Sequence, residues 1–247
     1  MNDNVYVLGN GSSRENIDPT LLPGTVIGCN ACYRDFTPDV ICATDAGIMC
    51  DIIDSGFDGE CYFTHNAWNL LPAEGGSSLF NGTEYTSTRK ADDNQFVYIS
   101  GLDGEVTKTQ SYIIWVPKEM EHKIKNIGTE VLGWSTGTSA VYVACKNWMR
   151  PCRSDGNMNG PKKVYLLGFD HKTNRYDNLY ADTKHYFSKD STHKWLDVHN
   201  NWSDQLYKMF KWYPNIEFYW VNYSGYQTDN AFTRNLHFLE EKELWQV

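Results

Sequence analysis

Histidines and tyrosines gather in one polar stretch of this sequence, where a proton could be exchanged with a bound molecule. His199 stands five residues before Asp204 and just ahead of a predicted helix, with Asp197 also near. An imidazole is the natural general base near neutral pH, and a neighbouring carboxylate can orient it and raise its basicity. We therefore predict that His199 is a general base, although any single histidine here could instead be a surface residue. The other members of the cluster are His185, His193, Tyr176, Tyr180 and Tyr186.

A glycine-rich turn, GNGSS at residues 9–13, follows the first apolar run. It lacks the third glycine of a dinucleotide fingerprint, because Arg14 stands there, and Asn30 replaces the acid that should close the second strand. It also lacks the lysine of a P-loop. What remains is a turn whose N–H groups could hold a phosphate, or a plain tight turn with a capping serine. The candidate binding residues are Gly9, Asn10, Gly11 and Ser12.

A second small-residue turn, STGTS at 135–139, opens a predicted helix. Ser135 and Thr136 are suited to capping, and the N-terminus of a helix favours an anion. Thr138 and Ser139 are therefore further candidates for binding, with ordinary capping as the alternative.

No metal site is predicted. The pair Cys29 and Cys32 has C-x-x-C spacing, but no second pair follows, so buried structural thiols are favoured. The sequence has no other metal-binding motif, and we expect neither metal nor cofactor.

Short apolar runs are the elements that must position these residues. They predict buried strands at 5–9, 24–30, 39–45, 60–66, 163–170 and 215–222, and apolar periodicity predicts helices at 135–149 and 201–213. Ligands of parallel sheets bind outside the carboxyl ends of the strands. The glycine turn, Asn30, Asp45, the 135–139 turn and Asp170 all lie at such ends, which predicts one shared site.

The element pattern predicts a single α/β domain over residues 1–247, with a mostly parallel Rossmann-like sheet flanked by helices. Residues 171–195 are polar, aromatic and without periodicity, which is typical of a small lid. Residues 72–130 are interpreted as an excursion at the sheet edge, with a strand at 111–118 and a short helix at 119–127.

Composition excludes several classes of protein. The net charge of −9 argues against nucleic-acid binding, and no run of 18 apolar residues predicts a membrane span. Seven cysteines without an export signal indicate reduced thiols and a cytoplasmic protein. Aromatic residues, at 15%, favour association into a homo-oligomer.

Six motifs, in order, resemble those of the bacterial lipooligosaccharide sialyltransferases, glycosyltransferase family 42. They are GNGSSRENID, GCNACY, TSAVYVAC, KVYLLGFD, YADT and HNNWSD. Related signatures occur in motility-accessory-factor glycosyltransferases and in archaeal pterin pyrophosphokinase-like proteins. The resemblance covers residues 5–47, 135–210 and the last predicted strand.

The resemblance implies a GT-A-like form of this fold and a metal-independent, inverting transfer from a nucleotide-activated sugar to a glycan or other hydroxyl acceptor. It assigns His199 as the base and Tyr180 as a tyrosine that binds the leaving phosphate. It assigns nucleotide binding to Asn10, Gly11, Ser12, Asn30, Thr138 and Ser139. Phenols and N–H groups would then stabilise the leaving charge without a metal, and a lid would exclude water.

Departures from the family keep alternatives open. Lys172 replaces the second lid tyrosine, so Tyr176 or Lys172 itself is the candidate substitute, and Asp45 replaces an asparagine near the nucleotide. An acid at position 45 suits a ribose hydroxyl. The alternatives are a pterin pyrophosphokinase-like enzyme using ATP, with Asp45 and Asp170 holding Mg²⁺, and a non-catalytic nucleotide-binding module.

Overall fold

The computed structural model describes most of the chain, in ten stretches. The described residues are 4–64, 70–71, 77–80, 83–86, 95–100, 112–147, 163–171, 176–191, 195–223 and 234–245.

Strands and helices are numbered here in chain order within those ranges. The strands are β1 (Asn4–Leu8), β2 (Thr25–Cys29), β3 (Val40–Ala43), β4 (Glu60–Phe63), β5 (Leu70–Leu71), β6 (Ser77–Phe80), β7 (Thr83–Thr86), β8 (Gln95–Ser100), β9 (Tyr112–Pro117), β10 (Ile124–Asn126), β11 (Lys163–Leu167), β12 (Glu217–Val221) and β13 (Leu236–Leu239). The α-helices are α1 (Ala46–Asp54), α2 (Thr136–Asn147), α3 (Trp195–Trp212) and α4 (Glu241–Leu244).

Eight of these strands form one parallel sheet in the order β10-β4-β3-β2-β1-β11-β12-β13. β2, β3 and β4 follow one another outward on one side of β1, and β11 pairs with β1 on its other side. This reversal between β1 and β11 is a topological switch point, where the carboxyl ends of neighbouring strands open a crevice. The predicted α/β, Rossmann-like sheet is thereby confirmed.

Both faces of the central strands are buried, which is why they appear in the sequence as unbroken apolar runs. On one face α2 packs against β1, β2 and β3, and α3 packs against α2 through Leu206 and Phe210. On the other face Tyr6, Tyr165 and Tyr219 stack across adjacent strands, with ring centroids 4.7 and 4.9 Å apart. This packing fixes the strand ends that carry the polar residues.

Three elements differ from the sequence prediction. The helix predicted at 119–127 is wrong, because residues 118–123 form a 3₁₀ segment and β10 then pairs with β4 at the sheet edge. The helix predicted at 201–213 begins six residues earlier, at Trp195, so His199 lies inside α3 and not ahead of it. The strand predicted at 111–118 is present as β9, but it runs antiparallel to β8 in a separate small sheet.

The described part of the predicted lid, residues 176–191, consists of turns held to the body of the protein by side chains. Arg34 donates to the Thr183 hydroxyl at 3.0 Å, and Asp51 of α1 pairs with Lys184 at 2.6 Å and with His185 at 3.2 Å. A movement of this segment as a lid stays a prediction. None of the helices in the described ranges combines the length and the apolarity that crossing a membrane requires.

Candidate functional site

A cavity of about 440 Å³ lies at the carboxyl ends of β1, β2, β3 and β11. This volume is within the range of small-molecule sites, and the position is the one that the switch point predicts. Its walls are the segments 9–11, 29–30, 44–45, 133–137, 168–171, 176–178 and 185–187, together with Asn201, Trp202 and Gln205 of α3.

Most of the residues predicted from sequence meet in this cavity. Those that line it are Gly9, Asn10, Gly11, Asn30, Asp45, Asp170 and Tyr176. Four others, Ser12, Thr138, Ser139 and Tyr180, are not among the lining residues. The helix that carries His199 contributes three lining residues, but the His199 side chain, like Lys172 and His193, lies outside the described part of the structure.

The N–H groups of the glycine turn donate hydrogen bonds to other groups of the protein. Gly9 and Gly11 donate to the carbonyls of Leu167 and Gly168, at 2.8 and 2.9 Å. Ser12 donates to Asp177 at 3.3 Å, and Ser13 donates to Asp170 at 2.8 Å. These four N–H groups therefore do not face a ligand, and the turn works mainly as a clamp around the end of β11.

Close packing against β11 explains the two glycines. A Cβ added at Gly9 would lie 2.4 Å from the Gly168 carbonyl oxygen, and one at Gly11 would lie 2.1 Å from a carboxylate oxygen of Asp170. Both distances are far below van der Waals contact, so only glycine lets the turn approach Asp170 closely enough to donate to it.

Replacing Gly11 by alanine should lower the free energy of unfolding by about 1–3 kcal/mol, because the new methyl group displaces the Asp170 carboxylate. Ser12→Ala, at the exposed neighbouring position, is the matched control and should change it by less than about 0.5 kcal/mol. Urea denaturation of both variants measures the difference. Equal stabilities would show that Asp170 is not clamped by the turn.

Three aspartates line the cavity in different settings, and Asp177 accepts from the Ser12 N–H. Burial raises the pKa of Asp170, an effect that its hydrogen bonds from Ser13 oppose. Desolvation by the surrounding protein raises the pKa of Asp45, which nearby His185 partly offsets. Asp45 immediately precedes α1 but makes no capping hydrogen bond with its side chain. Of the three, Asp45 is the one for which no hydrogen bond of the carboxyl group is assigned among the described residues.

The N-terminus of α2 forms another part of the cavity wall. The Ser135 hydroxyl caps the helix by accepting from the N–H of the buried Thr138 at 3.2 Å. The Ser135 N–H in turn donates to the Gln205 side-chain oxygen at 2.9 Å. Within the described ranges no acceptor is assigned to the N–H groups of Thr136 and Gly137, both of which line the cavity. A helix end with such N–H groups is suited to an anionic group.

Asn30 brings an unused acceptor to the cavity. It adopts a left-handed backbone conformation, with φ of 50°, which asparagine tolerates better than most residues. Its side-chain Oδ1 is buried and has no hydrogen-bond partner among the described residues. A buried oxygen of this kind is costly unless a ligand donates to it.

Tyr180, predicted to bind a leaving phosphate, lies beneath the cavity. Its hydroxyl accepts from the buried Arg14 at 3.1 Å and donates to Asp35 at 2.5 Å. Tyr176 does line the cavity, where burial raises its pKa to about 12 and keeps the phenol protonated.

Several lining residues were not predicted from sequence as members of a site. His171 directly follows Asp170, and its ring packs edge-on to Trp220 at 5.3 Å while Nδ1 lies 3.2 Å from the Ser203 hydroxyl. Trp134 also lines the cavity, as do His185 and Tyr186 of the cluster predicted from sequence. The adjacency of His171 to a strand-end acid was the available signal for it; Trp134 had none.

Metal ligands do not cluster in the described part of the chain: no group of three or more His, Cys, Asp or Glu side chains there is placed to share an ion. Cys29 and Cys32 are buried and are not joined by a disulfide. Comparisons of the chain with protein-family models, curated proteins and solved structures found no match.

Proposed function

We propose that this protein is an inverting glycosyltransferase that moves a sugar from a nucleotide-activated donor to a hydroxyl acceptor without a metal ion. The observation that supports it is the cavity at the switch point, which gathers seven of the residues that the resemblance and the strand ends single out. The cavity also carries both hydrogen-bond acceptors and donors, which a nucleotide sugar needs for its sugar hydroxyls and its phosphates.

In this proposal the donor phosphates lie at the N-terminus of α2. Thr136, Gly137 and Tyr176 all line the cavity, and in this proposal the two N–H groups and the phenol stabilise the leaving charge. The nucleoside lies beside them, where Asn30 and Asp45 supply acceptors. The glycine turn supports this arrangement by clamping Asp170.

The chemical step needs one base. An acceptor oxygen attacks the anomeric carbon from the face opposite the phosphate, the bond from carbon to phosphate oxygen breaks, and the electron pair leaves with the phosphate. The acceptor's proton passes to His199, which the resemblance assigns as the base. His199 lies in α3 three residues before the lining residue Trp202, and residues three apart are neighbours on a helix surface, which supports that role.

The location of such an enzyme follows from its donor and its thiols. The six cysteines in the described ranges are free, which agrees with a reducing compartment. We therefore include a cytoplasmic location in the proposal.

A thermal-shift screen tests the binding part of the proposal. We expect one of CMP, UDP or GDP and its sugars to raise the melting temperature by about 5–10 °C at a concentration near 100 times its Kd, since such binding adds about 2.7 kcal/mol. Inorganic phosphate at the same concentration is the control. No shift with any nucleotide or nucleotide sugar would overturn the proposal.

A second candidate is the pyrophosphokinase-like reaction, because Asp45 and Asp170 line the same cavity and could share Mg²⁺ with ATP. Chelation separates the two candidates. A glycosyltransferase of the proposed kind keeps its rate in excess EDTA, whereas an ATP-dependent transfer through Mg²⁺ loses it.

A further inference from the structure

Tyr186 lines the cavity, and its hydroxyl accepts two hydrogen bonds. The Asn10 side-chain amide donates to it at 3.1 Å, and the Ala31 N–H donates to it at 3.3 Å. A phenol has one proton to donate besides accepting. No acceptor for that proton is assigned among the described residues, and Tyr186 lines the cavity.

The surroundings favour this direction for both bonds. The Asn10 amide nitrogen lies 3.1 Å from the Tyr186 oxygen, while the Asn10 Oδ1 lies 3.5 Å from the Cys32 thiol, whose one proton can go to it or to the Leu8 carbonyl at 3.6 Å. The Ala31 main-chain nitrogen can only donate. The Tyr186 oxygen therefore receives two protons from fixed groups and must direct its own elsewhere.

The ring of Tyr186 is held in place as well. The guanidinium of Arg34 lies 5.9 Å from its centroid, and the Tyr180 ring packs against it at 5.7 Å. Burial raises the pKa of Tyr186 well above its ordinary value, so the hydroxyl keeps its proton at neutral pH. A neutral, positioned donor is the result.

We propose that Tyr186 is a specificity-determining residue whose hydroxyl, together with the Asn30 side-chain oxygen, binds an uncharged group that carries an acceptor beside a donor. Within the proposed function, on which the choice of ligand rests, that group is the nucleoside part of the donor. Its sugar hydroxyls and its base edge both offer this chemistry.

A phosphate fits this subsite poorly. Asn30, whose side-chain Oδ1 is an unpaired acceptor within the described ranges, directly precedes Ala31, whose N–H donates to Tyr186. The Asp45 carboxyl also lies close enough to Tyr186 to influence the pKa of the phenol. An anion placed here would face two acceptors for one donor. The end of α2, with N–H groups at Thr136 and Gly137, offers the opposite setting.

Replacing Tyr186 by phenylalanine tests the assignment, because it removes the hydroxyl and keeps the ring. By calorimetry, we expect the variant to bind cytidine, uridine, guanosine or adenosine, whichever binds the wild type, about tenfold more weakly, as expected for the loss of one hydrogen bond. The corresponding nucleoside diphosphate should lose affinity by the same factor, and pyrophosphate should bind within about twofold. A 2′,3′-dideoxynucleoside shows whether the ribose hydroxyls or the base carry the effect.

Tyr33→Phe is the matched control. The Tyr33 ring shares the Arg34 guanidinium with Tyr186, at 5.8 Å, but Tyr33 does not line the cavity. Its binding should stay within about twofold of wild type for every probe. Melting curves of both variants show that they are folded at the temperature of the titrations.

The outcomes separate this proposal from the proposed function. Equal binding by wild type and Tyr186→Phe, an equal loss for pyrophosphate, or no nucleoside binding at all would overturn the role of Tyr186. Binding of nucleosides that depends on Tyr186, without consumption of any nucleotide sugar, would uphold the subsite and overturn the glycosyltransferase.

Discussion

Replacing His199 by alanine lowers the rate of sugar transfer by about 10²- to 10⁴-fold, which is the usual contribution of a general base. The acceptor hydroxyl then has no group to receive its proton as it attacks. Nucleotide affinity should stay within about twofold, because the base meets the acceptor and not the nucleotide. The measurement is nucleotide release from the donor that the thermal-shift screen identifies, in the presence of mono- and disaccharide acceptors.

Two comparisons give this result its meaning. His122→Ala changes an exposed histidine outside the cavity lining and should leave the rate unchanged. Free imidazole added to His199→Ala should restore part of the rate if the missing group is a base. Full activity in His199→Ala would remove His199 from the mechanism, and His171, which lines the cavity, would be the next histidine to test.

Local sequence patterns predicted the central sheet because its strands are buried on both faces. An apolar run such as VYVLG has few structures open to it, and its observed strand, β1, differs from the predicted one by a single residue at each end. Edge elements escaped prediction. β13 is short and half-buried along its length. β10 follows a segment with helical composition, but it forms a strand because it pairs with β4.

The site was predictable only to the level of strand ends. The convergence of the glycine turn, Asn30, Asp45 and Asp170 follows from parallel topology and needs no side-chain detail. The function of the turn does not follow from it. Ser13 donates to Asp170 across 157 positions of the chain, and no local pattern could show that the N–H groups of a glycine turn would be occupied this way.

The same limit applies to the tyrosines. Tyr176, Tyr180 and Tyr186 stand in one stretch and look equivalent in sequence, yet one is tied to Arg14 beneath the cavity and two line it. What separates them is which donors reach each hydroxyl. That depends on residues 10, 14 and 31, more than 140 positions away.

Arg14 is the residue that joins the glycine turn to the segment around Tyr180. It is only 5% exposed, and its guanidinium donates to the Gly9 carbonyl at 2.5 Å, to the Tyr180 hydroxyl at 3.1 Å and to the Cys32 thiol at 3.4 Å. The Tyr180 hydroxyl in turn donates a hydrogen bond to Asp35. Removing a buried guanidinium with this many partners costs stability, because each partner stays buried without its hydrogen bond and without water to replace it.

Arg14→Met should therefore lower the free energy of unfolding by about 3 kcal/mol, since the Gly9 carbonyl and the Tyr180 hydroxyl lose a buried donor while the apolar stem is retained. Arg34→Met is the control: Arg34 has a more exposed guanidinium paired with Asp51, and its loss should cost less than about 1 kcal/mol. Urea denaturation measures both. If Arg14→Met does not fold, Arg14→Lys is the second variant, because it keeps the charge but loses the planar guanidinium. Its loss of unfolding free energy should be greater than zero but smaller than the loss expected for Arg14→Met after the Arg34→Met loss is subtracted. Equal costs for Arg14→Met and Arg34→Met would mean that the turn is held by β11 alone, through the hydrogen bonds of Gly9, Gly11 and Ser13.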